Sequence, residues 1–431
     1  MKWLRFSPLV LSLLAACDKT VPFENTAPSK MPPAAVPSMD GGSFVLLDAQ
    51  IGPSDGATAP EIPAEKFTKA ELLRQIADCS LGRFREFNEL AAALQVATTA
   101  WAANPTDELR SAAQLAWRAA MSSWQQAELF RFGPSGPGDV GDHGAQDYRN
   151  AIYFFPYINL CLVDQTLLSG GFSKLPLSLN VSAKGLGALE YLLFYDGTTN
   201  ACSSGIAINT GAPSPWQQLA ASDLHQRRAA FAGVLGTDLA ATAQALLDAW
   251  DPAKGNFYAQ LAGAGTEKSS PYGSEQEALN NINTAMLYVD KQLKDDKVGI
   301  PAGLVFCAQT TCPEAVESRY SQASNLNIVQ NLHAFRSLFQ GCGGNYTGLG
   351  FDDWLIETHQ PDLANRMINA LEVAQQAASA LPLPLEQLLS TNLSQVVALY
   401  RDISGFESIF KAEYRGALNF TPPQAAVGDN D

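Results

Sequence analysis

Leu385-Glu386-Gln387-Leu388-Leu389-Ser390-Thr391-Asn392-Leu393-Ser394-Gln395-Val396-Val397-Ala398-Leu399-Tyr400 places apolar side chains at 385, 389, 393, 396 and 400, in steps of four, four, three and four. Residues three or four apart share one face of an α-helix, so the spacing describes a core-facing stripe and not the two-residue alternation of a strand. The stripe runs on to about Phe410.

The same period recurs upstream. Leu72, Ile76, Phe84, Phe87, Leu90 and Leu94 predict a helix over 67–103. Thr106 is placed to cap the next one, which passes through Leu109, Trp117, Met121 and Trp124 to about Phe132. A third helical stretch, 148–168, contains Pro156, which should kink or break it. Further helices are predicted over 183–194, 215–250, 275–293, 325–339 and 354–380. Alternating runs that would mark strands are nearly absent. The expected fold is all-α, with one helical bundle over 66–200 and a second over 201–420.

The chain has 431 residues, 46% of them apolar, which is enough for about two sizeable cores. Its formal charge of −15 and pI near 4.7 argue against a nucleic-acid binder. They permit a cationic or metal partner.

The first residues read as an export signal. Lys2 and Arg5 precede an apolar run over 6–14, then Leu14-Ala15-Ala16-Cys17. Small residues ahead of a cysteine resemble the lipobox of bacterial lipoproteins. That resemblance implies a signal peptide over 1–16, acylation of Cys17 and a cell-envelope location in the periplasmic space. Residues 17–65 are rich in Pro, Ala, Ser and Gly and read as a flexible tether, and 421–431 as a disordered tail. No later run of about 18 consecutive apolar residues suggests a spanning helix, so the lipid is the expected membrane attachment.

Six cysteines follow Cys17: Cys79, Cys161, Cys202, Cys307, Cys312 and Cys342. An exported protein can use all six as three disulfides. Cys307 and Cys312 are close enough to close a small loop. For the rest, Cys79–Cys161 with Cys202–Cys342 is one choice among fifteen connectivities.

Several segments resemble the imelysin-like proteins, peptidase family M75. They are Ala116-Trp117-Arg118 with Trp124, Glu128-Leu129-Phe130-Arg131-Phe132-Gly133-Pro134, Asp295-Asp296-Lys297-Val298-Gly299-Ile300-Pro301, and Glu317-Ser318-Arg319-Tyr320-Ser321. The resemblance spans about 66–418 and implies two helical bundles with a site at their interface. The family signature is Gly-x-His-x-x-Glu. Here it reads Gly185-Leu186-Gly187-Ala188-Leu189-Glu190, so Glu190 carries over and the histidine does not.

The loss matters chemically. On a helix, i and i+3 share a face, so His and Glu there can hold one metal or share one proton. Glycine supplies neither ligand nor base, and one carboxylate alone does not make a metal site. Glu190 is then a retained binding-site acid, half of an ion pair with an arginine such as Arg149 or Arg319, or simply exposed. A histidine at 187 should fit if that helix face borders a cleft.

The ligand-binding candidates are therefore Glu190, Gly187, Gly185, Glu317 and Arg319. Asp139, Asp142, His143 and Asp147 form a weaker metal-ligand cluster, in a loop whose default reading is a solvated turn. His225, His333 and His359 fall on predicted helices, with His333 expected as a satisfied core residue. Asp352-Asp353 stands where a helix begins, and capping accounts for it.

The leading expectation is a non-catalytic lipoprotein that binds a ligand between its bundles. The resemblance points to an iron-related ligand and an iron-uptake or other envelope partner. The rival is a metal-dependent M75 peptidase that draws a replacement ligand from elsewhere, with His143 the least implausible donor. A third reading is an envelope interaction module with no small ligand.

Overall fold

The computed structural model describes residues 67–137, 143–173, 178–343 and 345–421. The leader, the tether with Cys17, Asp139, Asp142 and the tail beyond 421 lie outside the described residues. The fold is all-helical, and no strand occurs among the described residues.

Among the described residues, thirteen α-helices of five residues or more carry the fold: α1 Lys69–Ala103, α2 Asp107–Ala127, α3 Tyr148–Ile152, α4 Leu160–Ser169, α5 Gly185–Phe194, α6 Ala221–Trp250, α7 Phe257–Ala262, α8 Glu275–Met286, α9 Ser324–Gln340, α10 Phe351–Glu357, α11 Pro361–Ser379, α12 Leu385–Thr391 and α13 Leu393–Ile409. Between α8 and α9, Val289–Gly299 winds as a π-helix.

Local chemistry sets several boundaries. Thr106 caps α2 by accepting the Leu109 N–H. Pro156, in a cis peptide with Phe155, sits in the gap between α3 and α4, where a proline has no amide to give a helix. The stripe that opened the sequence is split at Asn392 into α12 and α13, with Leu385, Leu389 and Val396 buried. Asp353 accepts the Gly350 N–H at the start of α10. His359 is exposed in the turn after α10, with φ of 62°, and not on a helix as expected.

The long helix α6 packs along α1, and α2 packs against α5 and α9. Gly236 permits the first approach: a Cβ there would stand within van der Waals radii of the Thr98 side chain. By length and composition α6 could also cross a membrane, the one such helix among the described residues. Its Phe231, Leu235, Leu239 and Leu246 are sealed in the core, so it is accounted for as a core helix.

All six described cysteines pair, but two of the expected connections are wrong. The bridges are Cys79–Cys342, Cys161–Cys202 and Cys307–Cys312. Only the short loop could be read from spacing. The other two depend on α1 meeting the segment after α9, and α4 meeting the loop after α5, which no local pattern encodes.

Candidate functional site

Residue Glu190 is buried on α5, one turn after Gly187, and its Oε1 accepts the Ser321 N–H at 2.9 Å. Ser321 Oγ lies at the same distance from that oxygen. The Ser321 carbonyl in turn accepts from the Arg118 guanidinium at 2.5 Å. The expected ion-pair partners are engaged elsewhere. Arg149 is bonded to Glu128, and Arg319 to the Glu314 carbonyl and the Tyr320 hydroxyl. Burial pushes the Glu190 carboxyl up to about 7, against the lowering by the Ser321 bonds and with a further rise from Glu317.

The segment after Pro313 turns sharply to reach Glu190. Ser318 has φ of 50° and Gln322 of 57°, left-handed conformations unusual for residues other than glycine. Asn327 on α9 steadies the turn by donating to Ser318 Oγ at 3.0 Å. The turn also buries Glu317, which is 1% exposed.

Three elements converge on Glu317: α2, the end of α3 and the π-helical segment. Its Oε1 accepts from Tyr153 Oη at 2.9 Å and Gln125 Nε2 at 3.1 Å, and lies 2.9 Å from Lys297 Nζ. Lys297, fully buried, also donates to Gln125 Oε1 at 2.6 Å and Asn331 Oδ1 at 2.8 Å. Behind it, Glu128 accepts two bonds from Arg149 and one from Tyr288. The Oε2 of Glu317 is buried and has no hydrogen-bond partner.

The π-helical turn supplies the cation. Across Val289–Gly299, Lys294 faces Asp290 and Glu407, while Lys297 faces Glu317. The sequence Asp295-Asp296-Lys297 had marked this segment as part of the family resemblance, but not as part of the site.

Part of this network borders a pocket of about 160 Å³. Glu190, Glu317, Gly187 and Arg319, all candidates from the sequence, line it together with Asp296 and Tyr153. Burial, reinforced by Asp295, pushes the Asp296 carboxyl up to about 6. Burial and the neighbouring Glu317, Glu190 and Glu128 carboxylates raise the Tyr153 hydroxyl well above its ordinary value. Phe155, Pro156, Ile158 and Ile300 give the pocket an apolar wall.

Gly185 does not line the pocket. It has φ of +70°, and a Cβ there would run into the Ile152 carbonyl, so its role is the close start of α5. At Gly187, a Cβ would lie 2.6 Å from Cδ1 of Ile158. The helix face does border a cleft, but Ile158 covers the place where an imidazole would begin.

The histidine rescue is not supported by the geometry. His143 pairs with Glu277 at 3.0 Å and does not line this pocket. His225 bonds the Pro105 carbonyl, and His333, half-buried, bonds Tyr346 and Gln375. Among the described residues no group of three or more His, Cys, Asp or Glu side chains is placed to hold a metal ion. The donor set therefore does not fit a resident metal. The pocket offers acceptors, one orphaned carboxylate oxygen and two carboxyls that titrate near neutrality.

The family model described as Imelysin, peptidase M75, matches residues 81–401. Iron-regulated protein A of Synechococcus elongatus is 24% identical over 311 residues, 72% of this chain and 74% of that protein. The solved imelysin-like protein of Psychrobacter arcticum superposes with a TM-score of 0.60 at 12% identity, covering 82% of this chain and 98% of that one. A solved chain from Parabacteroides distasonis gives 0.58 at 16% identity, over 82% and 97%. At these identities the two structures speak for the fold alone.

Proposed function

The chain belongs to the imelysin family, and from that premise we propose that it is a non-catalytic binding protein whose pocket takes a small, donor-bearing ligand. The observation that carries this reading is the Oε2 of Glu317, buried without a partner beside the pocket. A buried acceptor without a partner costs about 1–3 kcal/mol, and more if charged, so a ligand that supplies an N–H or O–H recovers that energy. The apolar wall favours a ligand with a carbon body behind its polar end.

An organic cation, with an ammonium or guanidinium head, meets these demands better than a bare metal ion. The relative from Synechococcus is named for iron regulation. An iron-related ligand fits this pocket as a complex presenting a donor group, not as a free ion. Three disulfides fit an oxidising compartment, in keeping with export and anchoring through Cys17.

Calorimetric titration with butylamine, butylguanidine, iron(II) and zinc(II), alongside a casein-hydrolysis assay, tests the reading. Binding of either organic cation to the parent, weakened in Glu190→Gln and Glu317→Gln, is the expected result. Stoichiometric metal with casein cleavage would overturn it in favour of the peptidase. No binding by any probe would instead favour an interaction module.

A further inference from the structure

A second pocket, of about 120 Å³, lies at the C-terminal end of α5, where Leu192, Asp196 and Gly197 meet the start of α6. Its polar lining is dominated by donors. Arg110 and Arg228 both face it, and Trp101 forms part of its wall. Arg228 is 6% exposed, and two of its nitrogens are fixed by the Tyr195 and Gly197 carbonyls at 3.0 and 2.8 Å. Its third, Nε, is buried without a partner, and so is Nε1 of the fully buried Trp101.

Two orphaned donors in one small pocket need an acceptor. The start of α6 adds to the demand. Ala221, its first residue, lines the pocket, and Ala220 at the N-cap has no side chain that can cap the amides of the first turn. A thirty-residue helix brings its positive end to this point, which favours an anion. One carboxylate is already present: Asp196 pairs with Arg110, but its side chain is largely exposed. The charge of Arg228 also faces Asp164 and Tyr191 behind the pocket. A volume of about 120 Å³ leaves room for a small oxyanion.

We propose that this pocket binds a small oxyanion (phosphate, sulfate or a carboxylate) between Arg110, Arg228, Trp101 Nε1 and the start of α6. The site is separate from the acidic pocket and opposite to it in sign. Its occupation does not depend on what the acidic pocket holds.

The test is calorimetric titration of the mature protein with sodium phosphate, sulfate and acetate at low ionic strength, with chloride as the control. Arg110→Gln removes one charge-assisted bond and should weaken the bound oxyanion by about tenfold or more. Ala221→Glu places a carboxylate at the pocket mouth, in a first helical turn that tolerates acids, and should abolish binding with the helix content unchanged. Arg228→Gln is less informative alone, because it also frees the partly buried Tyr195 and Gly197 carbonyls. The relative response to the three anions identifies the source chemistry, tetrahedral or planar. Failure of all three to bind more tightly than chloride would overturn the proposal. So would binding of equal affinity in the parent, Arg110→Gln and Ala221→Glu.

Discussion

Cδ1 of Ile158 occupies the space that any side chain at Gly187 would enter first, 2.6 Å from the position of its Cβ. The two residues come from different elements, Gly187 from α5 and Ile158 from the segment after the cis proline. Absence of the histidine and presence of the isoleucine are thus one structural fact. A histidine at 187 would have to displace that side chain.

Gly187→His alone is therefore expected to destabilise the protein by about 1–3 kcal/mol through overpacking, despite the better helix propensity of histidine. Adding Ile158→Ala should recover much of that loss. Urea unfolding of the parent, the single variant and the double variant measures both steps. Zinc affinity should rise only in the double variant, where an imidazole and Glu190 can share one face. A single variant as stable as the parent would show that Ile158 moves aside freely.

The Lys297–Glu317 pair predicts a larger effect. Both side chains are fully buried, and Lys297 is the cation bonded directly to Glu317. Lys297→Met leaves that carboxylate without its counter-charge, a change worth about 3–5 kcal/mol in buried pairs. Glu317→Gln in the Lys297→Met background should restore part of it, because Tyr153 and Gln125 can still donate to an amide oxygen. The double-mutant cycle should show coupling above about 1 kcal/mol. Additive losses would mean that the two side chains act independently.

The all-helical fold was legible because its cause is local. The stripe from Leu385 through Val396, the Thr106 cap and the Pro156 break each state their structure within a few residues. Glu190, Gly187, Glu317 and Arg319 were found through motif resemblance, and they do share a pocket. The remainder of the site is made by long-range encounters. Lys297 and Gln125 are 172 residues apart, and Ser321 and Glu190 are 131 apart. In sequence, Asp295-Asp296-Lys297 stood out only through the family resemblance. Only the π-helical winding and the burial of Glu128 and Glu317 turn Lys297 inward. Ile158 gave no chemical sign at all, being one apolar residue among many.

The disulfides should differ in what they contribute. Cys79–Cys342 closes a loop across 263 residues, and Cys307–Cys312 across 5. Chain entropy gives about 5.5 kcal/mol for the long loop and about 2 for the short one. Replacing Cys79 and Cys342 by serine should lower the unfolding midpoint clearly more than replacing Cys307 and Cys312. Thiol counting on the denatured, unreduced parent should find no reactive thiol among these six. Two or more would contradict the connectivity.

The pH dependence follows from the raised carboxyls. In the folded chain Glu190 titrates at about 7, well above its ordinary 4.5, with burial as the main cause. Below the ordinary value both folded and unfolded states hold the proton, and the residue adds no pH dependence. As pH rises past 4.5 the unfolded chain releases its proton while the native protein keeps it. The native state then binds more protons, so stability falls with rising pH until about 7 and levels beyond. Asp296, at about 6, and Asp352, at about 7, contribute in the same direction. Glu190→Gln isolates one term, because its amide oxygen can still accept from Ser321 while the group no longer ionises. The variant should match the parent near pH 4 and exceed it at pH 8, by on the order of 1–3 kcal/mol. Chemical denaturation across that range reads the difference directly. A variant equal to the parent at pH 8 would mean that Glu190 ionises in the fold at no cost, as it would if a cation or a bound donor already stood beside it.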